Sequence, residues 1–257
     1  MRILIKLGGT LLDTPESLHR LAQEIAKAAA DSAYQIAVVH GGGKQMTRFL
    51  AERGIESRFV NGLRVTTPEI IDAVVKVFAG SVNAQLVSAF RAAGALPVGL
   101  SGLDAGLVDA EILNPELGLV GKPVRSDTRL LELLVCHHYL PVIACVAGDT
   151  KGRIFNVNAD QMAVACATSF RAEKLLFLTD VEGVRDAEGA TRQVLTAAGA
   201  QELIRSGVAT GGMQAKLESA TSALYSGVKE VMIASGAKPG VVDMLLHDSP
   251  IGTRLIA

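Results

Sequence analysis

Short apolar runs alternate with amphipathic stretches along most of this chain, and that alternation limits the folds open to it more than any other feature. Residues 3–7 (ILIKL) run into Gly8-Gly9, and residues 14–30 then carry helical spacing through Leu18, Leu21, Ile25 and Ala28. Residues 36–39 (IAVV) stop at Gly41-Gly42-Gly43, ahead of a helical stretch holding Met46, Phe49 and Leu50. A long helix is predicted over 68–92, a strand over 96–100, hairpins over 104–124, a helix over 128–138 and a strand over 140–146. A turn-rich stretch at Gly148-Asp149 opens a second half. It holds a helix over 158–170, a strand over 174–178, helices around 197–205 and 213–225, a strand over 230–233, a helix after Pro239 and a closing strand near Thr253. Buried strands separated by helices predict an α/β fold with a mainly parallel sheet covered on both faces, its ligand loops at the carboxyl ends of the strands. The expected organisation is a single domain over 1–257 with two lobes, about 1–148 and about 149–257.

The chain has the material for a large core, since 49% of its 257 residues are hydrophobic. Twenty-five Lys and Arg against 26 Asp and Glu leave a formal charge of -1, without the excess of positive charge that attracts nucleic acid or anionic lipid. Cys136, Cys145 and Cys166 lack metal-ligand spacing and are expected to be buried, reduced thiols. No metal-ligand cluster is expected. The opening apolar run is too short for a signal-peptide core, and no run approaches the roughly 20 apolar residues of a membrane span. A cytoplasmic protein without membrane or nucleic-acid partners is the expectation.

Lys6 interrupts an otherwise apolar strand, where an isolated ammonium would be costly to desolvate. Either the strand lies at an edge and Lys6 reaches solvent, or the lysine meets an anion. Gly8-Gly9, directly after it, would let a phosphate approach the backbone. His40-Gly41-Gly42-Gly43 closes the second strand where a helix begins, so its free N–H groups could form an anion cradle; a tight turn would also account for the glycines. Arg64, just past the Asn61-Gly62 turn, offers a planar fork for a carboxylate. In Asn156-Val157-Asn158-Ala159-Asp160-Gln161, Asn158 is placed to cap the next helix, with Gln161 completing a capping box, and Asp160 suits the helix dipole. Lys216 lies early in a helix, where a positive charge opposes the macrodipole; an exposed lysine tolerates that at small cost. Two displaced lysines, two glycine turns and one acid together suit phosphoryl transfer. The P-loop and dinucleotide-binding glycine signatures are absent, as is a nucleophile elbow.

Lys6-Leu7-Gly8-Gly9, His40-Gly41-Gly42-Gly43, Asn61-Gly62-Leu63-Arg64-Val65-Thr66, the Asn156–Gln161 motif and Gly212-Met213 with Lys216 follow one another in an order and spacing that resemble the amino acid kinase family over nearly the whole chain. The resemblance implies a three-layer α/β/α sandwich whose N-terminal half binds an amino acid and whose C-terminal half binds ATP. It also implies phosphorylation of the γ-carboxylate of N-acetyl-L-glutamate with ATP and Mg²⁺, a step of arginine biosynthesis. Related carboxylates, such as N-succinylglutamate or carrier-linked α-aminoadipate, and a non-catalytic nucleotide- or anion-binding role are the alternatives. By resemblance, Lys6 and Lys216 stabilise the transferring phosphoryl group and Asp160 holds both ammonium groups. Gly42 and Gly43 cradle substrate or phosphate, Arg64 grips the α-carboxylate, and Asn156 touches the same ligand. Gly8 and Gly9 fall on the phosphate side. The nucleotide is expected against Thr179, Asp180, Val181, Glu182, Gly183, Val184 and Arg185 and against Val208, Ala209, Thr210 and Gly211. Relatives often carry an acidic residue where this chain has Gly211. Arginine-inhibited relatives have an extra helix before the first strand, so a strand starting at Ile3 leads to the expectation of an arginine-insensitive homodimer joined partly through the 68–92 helix.

Overall fold

Thr14 shows how local chemistry sets the first helix. Its Oγ1 accepts from the Ser17 N–H at 3.3 Å, Pro15 occupies the first turn, and Leu21, Ala22, Ile25 and Ala26 form the buried stripe. The computed structural model describes all 257 residues. The chain opens with β1 (Arg2–Leu7), α1 (Pro15–Ala29), β2 (Gln35–His40) and α2 (Gly43–Ala51). A small hairpin, β3 (Phe59–Val60) and β4 (Leu63–Arg64), leads to the long helix α3 (Pro68–Ala92). Next come β5 (Pro97–Ser101), β6 (Val108–Ile112), β7 (Val120–Ser126), α4 (Arg129–Cys136), β8 (Leu140–Ala144), β9 (Val146–Gly148) and β10 (Ile154–Val157). The last part contains α5 (Ala159–Ser169), β11 (Lys174–Thr179), β12 (Val194–Thr196), α6 (Ala197–Arg205), α7 (Gly211–Tyr225), β13 (Glu230–Ser235), α8 (Val241–Leu246) and β14 (Thr253–Ile256).

The main sheet has eight strands in the order β12-β14-β13-β11-β1-β2-β8-β5. It is mainly parallel; β14 runs antiparallel to β13, and β12 follows β14. Helices α1, α3 and α8 pack together on one face, and α4, α5 and α7 cover the other. This is the expected α/β/α sandwich, with its apolar strands buried on both faces. β1 is central, paired with β11 and β2, which removes the edge-strand account of Lys6.

Three expectations change. The single strand over 140–146 divides at Cys145: β8 stays in the main sheet, while β9 joins β10, β7 and β6 in a small closed barrel, of which sequence periodicity showed only the hairpins. Cys136 is exposed at the end of α4, whereas Cys145 and Cys166 are buried, and none is disulfide-bonded. Helix α3 is long and apolar enough to cross a membrane by length and composition, although Asp72, Lys76 and Arg91 interrupt its run. It packs against α1, β5 and β8, and Val77, Phe78, Leu86 and Phe90 are core residues. Its middle, Val75–Val82, widens into a π-helical stretch, a local irregularity that often accompanies a functional site. Most of its apolar positions turn inward; Ile71, Val75 and Val87 remain half-buried. That leaves a narrower second face than the sequence suggested.

Candidate active site

The parallel strands place their carboxyl ends, and the turns that follow them, along one edge of the sheet. Leu7 of β1 pairs with His40 of β2, so the two glycine turns emerge side by side. A Cβ built on Gly9 would lie 3.5 Å from the Gly43 nitrogen, at ordinary contact distance, so the first turn packs against the N-terminus of α2. On Gly42 it would approach Phe78 Cδ1 to 2.8 Å and Val82 Cγ2 to 3.2 Å, both from the π-helical stretch of α3. At Gly42 the close approach requires a glycine, and the two turns leave free N–H groups suited to an anion.

Above the end of β1, Lys6 Nζ lies 2.7 Å from Asp160 Oδ1, and Lys216 Nζ lies 3.7 Å from Asp160 Oδ2. Lys6 and Asp160 are each 6% exposed. Burial works to raise the Asp160 pKa, but the charges of Lys6 and Lys216 outweigh it and hold the carboxyl below its ordinary range. Asp160 sits in the first turn of α5 because Asn158 caps that helix, its Oδ1 accepting from Asp160 N at 2.9 Å and Gln161 N at 3.3 Å. The reciprocal half of the predicted capping box is missing, since Gln161 Oε1 has no partner. Asp160 therefore does more than favour a helix dipole: it is shared between two lysines drawn from opposite halves of the chain.

Arg64 is buried at the end of the β3–β4 hairpin and has no acidic partner within ion-pair distance. Its guanidinium donates to Ser57 Oγ, to Thr47 Oγ1 at 2.8 Å and to the Gly43 carbonyl at 3.3 Å, and it stacks 4.6 Å from the Phe59 ring centroid. Burial lowers its pKa from the ordinary value. Asn156 Nδ2 donates to Thr66 Oγ1 at 3.0 Å, and Thr66 Oγ1 donates to the Arg64 carbonyl at 2.9 Å, so Thr66 ties the two expected substrate residues together. The sequence reading passed over Thr66, and only its place in the Asn61–Thr66 motif marked it.

The Lys6–Asp160–Lys216 cluster holds two cations and one carboxylate, and Arg64 stands apart from it as a further cation without an acidic partner. A buried surplus of positive charge costs free energy unless an anion completes it, and a triphosphate with a carboxylate nucleophile would do so. Gly8 lies beside the end of β11, where its Cβ would meet the Leu178 carbonyl oxygen at 3.0 Å, and Thr179 is buried at that strand end. Asp180, Val181 and Glu182 are exposed, and Gly183 is packed against Thr253 and Thr191. Val184 and Ala209 have their side chains in the core, so at those two positions only the backbone is open to a ligand. Arg185 bridges to Thr191. Val208 and Thr210 lie on the approach to α7, and Thr210 precedes that helix without a side-chain cap bond. Gly211 has φ 53, a left-handed conformation that would strain any residue carrying a side chain.

A cavity of about 650 Å³ runs between α5, α7 and β7 and borders the site through Asn158 and Gln161 and through Asn61 and Leu63 of the β3–β4 hairpin. Lys6, Asp160 and Lys216 do not line it, and charge rather than cavity size locates the chemistry.

Comparisons with known proteins identify the family. Residues 1–235 match the amino acid kinase family. The chain is 59% identical over 256 residues to an acetylglutamate kinase from Solibacter usitatus, covering 100% of this chain and 99% of that one. It is 43% identical over 235 residues to an acetylglutamate kinase from Acidobacterium capsulatum, covering 91% and 90% of the two chains. A crystal structure of N-acetylglutamate synthase from Neisseria gonorrhoeae, complexed with coenzyme A and N-acetyl-glutamate, superposes with TM-score 0.88 at 26% identity, covering 100% of this chain and 59% of that one.

Proposed function

The chain belongs to the amino acid kinase family, and from that premise we infer that it transfers the γ-phosphoryl group of ATP to the side-chain carboxylate of N-acetyl-L-glutamate, a step of arginine biosynthesis. The observation that carries the reading is the Lys6–Asp160–Lys216 cluster, buried at Lys6 and Asp160, whose surplus positive charge lies at the end of the strand that runs into the Gly8-Gly9 turn. The γ-carboxylate has an ordinary pKa of about 4.3, so the nucleophile is already ionised at neutral pH and needs no general base. One of its oxygens forms a bond to the γ-phosphorus. The bond from that phosphorus to the β–γ bridging oxygen breaks, and its electron pair leaves with ADP. What the protein must supply is in-line positioning and relief of repulsion between two anions.

Lys6 and Lys216 supply the charge, and Asp160 fixes the two ammonium groups. The glycine amides add donors at Gly9, Gly42 and Gly43, and Arg64 with Asn156 orients the α-carboxylate end of the acylated amino acid. Both Asp160 oxygens face lysines, so the cluster offers no free carboxylate to a metal, and Mg²⁺ would be held by phosphate oxygens and water. It would supply further charge neutralisation on the phosphates. The nucleotide would lie along the 179–185 and 208–211 segments, in the lobe after residue 148. A cytoplasmic homodimer completes the proposal: the free cysteines suit a reducing compartment, and Ile71, Val75 and Val87 leave apolar surface on α3.

The test traps the acyl phosphate with hydroxylamine, using Mg-ATP and a panel of acidic amino acids and their N-acyl derivatives. N-acetyl-L-glutamate should give hydroxamate at the highest rate. Hydroxamate from a free amino acid, with none from N-acylglutamates, would overturn the reading.

A further inference from the structure

His40 ends β2 with no solvent exposure, one residue before the glycine turn, and both of its ring nitrogens are engaged. Nδ1 lies 2.8 Å from the Gly41 carbonyl oxygen, and Nε2 lies 3.0 Å from Asn83 Nδ2. The same Asn83 nitrogen also lies 2.9 Å from the Val142 carbonyl oxygen, which can only accept, and so it is the amide NH₂. An NH₂ group can only donate to Nε2, and the Gly41 carbonyl can only accept from Nδ1. The two contacts therefore select one tautomer, a neutral imidazole with its proton on Nδ1. Burial agrees with this, lowering the His40 pKa to about 4.

The consequence reaches the next peptide. Peptide units here are trans and planar, so the Gly42 N–H points opposite to the Gly41 carbonyl. With that carbonyl held toward the imidazole, the Gly42 N–H is turned away from it, and no carbonyl or side chain of the protein accepts from it. Further bonds brace the arrangement. Cys145 Sγ donates to the His40 carbonyl at 2.8 Å, and Asn83 begins where the π-helical stretch that crowds Gly42 ends.

We propose that His40 is a positioning residue: its Nδ1–H, set by Asn83, locks the Gly41 carbonyl and thereby aims the Gly42 N–H at the anion held between the glycine turns. This rests on the kinase reading for the identity of that anion, but the ring geometry stands apart from it. His40 touches no reacting atom in this account and acts only through the backbone.

The test combines a tautomer measurement with a variant series. Long-range ¹⁵N–¹H correlation of the full chain at neutral pH, without substrate, should show His40 as the Nδ1–H tautomer. His40→Leu should lower kcat on the order of 10-fold or more, because a transition-state donor is misaimed rather than removed. KM for N-acetyl-L-glutamate should change much less. His40→Asn, whose side-chain N–H falls near the place of Nδ1–H, should restore most of the turnover, and His40→Gln should not. An Nε2–H tautomer overturns the proposal whether or not the variants fold. So does His40→Leu with wild-type kcat, or equal losses in the Leu and Asn variants. A wild-type chain inactive toward N-acylglutamates would instead sink the kinase reading, leaving the tautomer to decide the geometry.

Discussion

Lys6 and Lys174 stand on neighbouring strands of one sheet, each 6% exposed, and they are surrounded by opposite balances of charge. In the β1–β11 pairing Lys174 sits across from Ile3 and Lys6 across from Phe177, so the two lysines lie toward opposite ends of the strands. Lys174 Nζ donates to Asp248 Oδ1 and lies 3.7 Å from Glu230 Oε2, while Glu230 also pairs with Arg254. Two cations there meet two carboxylates. Lys6 has one carboxylate, and Lys216 shares it. Burial of a lysine is thus compatible with a purely structural role, and the surplus left after pairing is what marks a site waiting for an anion.

Lys216→Met probes the surplus with the least damage to the fold, because the 2.7 Å Lys6–Asp160 pair stays intact. We expect kcat to fall on the order of 10²-fold, about 2.7 kcal/mol of transition-state stabilisation, with the melting temperature close to wild type. Normal turnover in this variant would make the second lysine part of the framework, like Lys174.

A smaller effect of a different kind is expected at Arg64. Its charge faces a carboxylate that does not change during the reaction, so Arg64→Met should raise KM for N-acetyl-L-glutamate by roughly 10- to 100-fold while saturating substrate recovers most of kcat. Thermal stability should hold or rise, since a buried cation without an acidic partner is removed. Steady-state kinetics beside a melting curve separates this from a structural role, in which stability would drop and KM would not move.

The smallest effect belongs to the balanced end of the sheet and depends on pH. The hydrogen bond from Lys174 holds the Asp248 pKa below its ordinary value. A carboxylate with a depressed folded pKa contributes stability that is complete above its unfolded pKa, about 3.9, and is lost as pH falls through the folded value. Asp248 is half exposed, so Asp248→Asn should cost at most about 1 kcal/mol near neutral pH, and the difference should shrink toward zero in acid. Urea unfolding at neutral pH and at acid pH checks the sign; a difference that grows in acid would contradict it.

Much of this contrast was legible in the sequence, for uneven reasons. Lys6 drew notice because it interrupts an apolar run directly before two glycines, whereas Lys174 begins its run and reads as a strand boundary. The β-α alternation specified the parallel sheet because period and length leave few other ways to bury such strands. The barrel was not legible: β6, β7, β9 and β10 are short, and their closure depends on pairings between distant segments, such as Asn156 with Val120. The roles of His40 and Asn83 were hidden for a similar reason, since 43 residues separate two groups that meet at 3.0 Å. Asp160 alone looked like a dipole residue, and only the fold brought both lysines to it.

The central claim is that surplus charge, not burial, distinguishes the two lysines, and one paired measurement tests it: turnover in the hydroxamate assay for Lys6→Met and Lys174→Met, each with its unfolding curve. Lys6→Met should lose on the order of 10²-fold in kcat. Lys174→Met should turn over like wild type yet lose roughly 1–3 kcal/mol of stability, because Glu230 and Asp248 are left short of a partner. A Lys6→Met variant that keeps its turnover, or a Lys174→Met variant that loses as much as Lys6→Met does, would contradict the account.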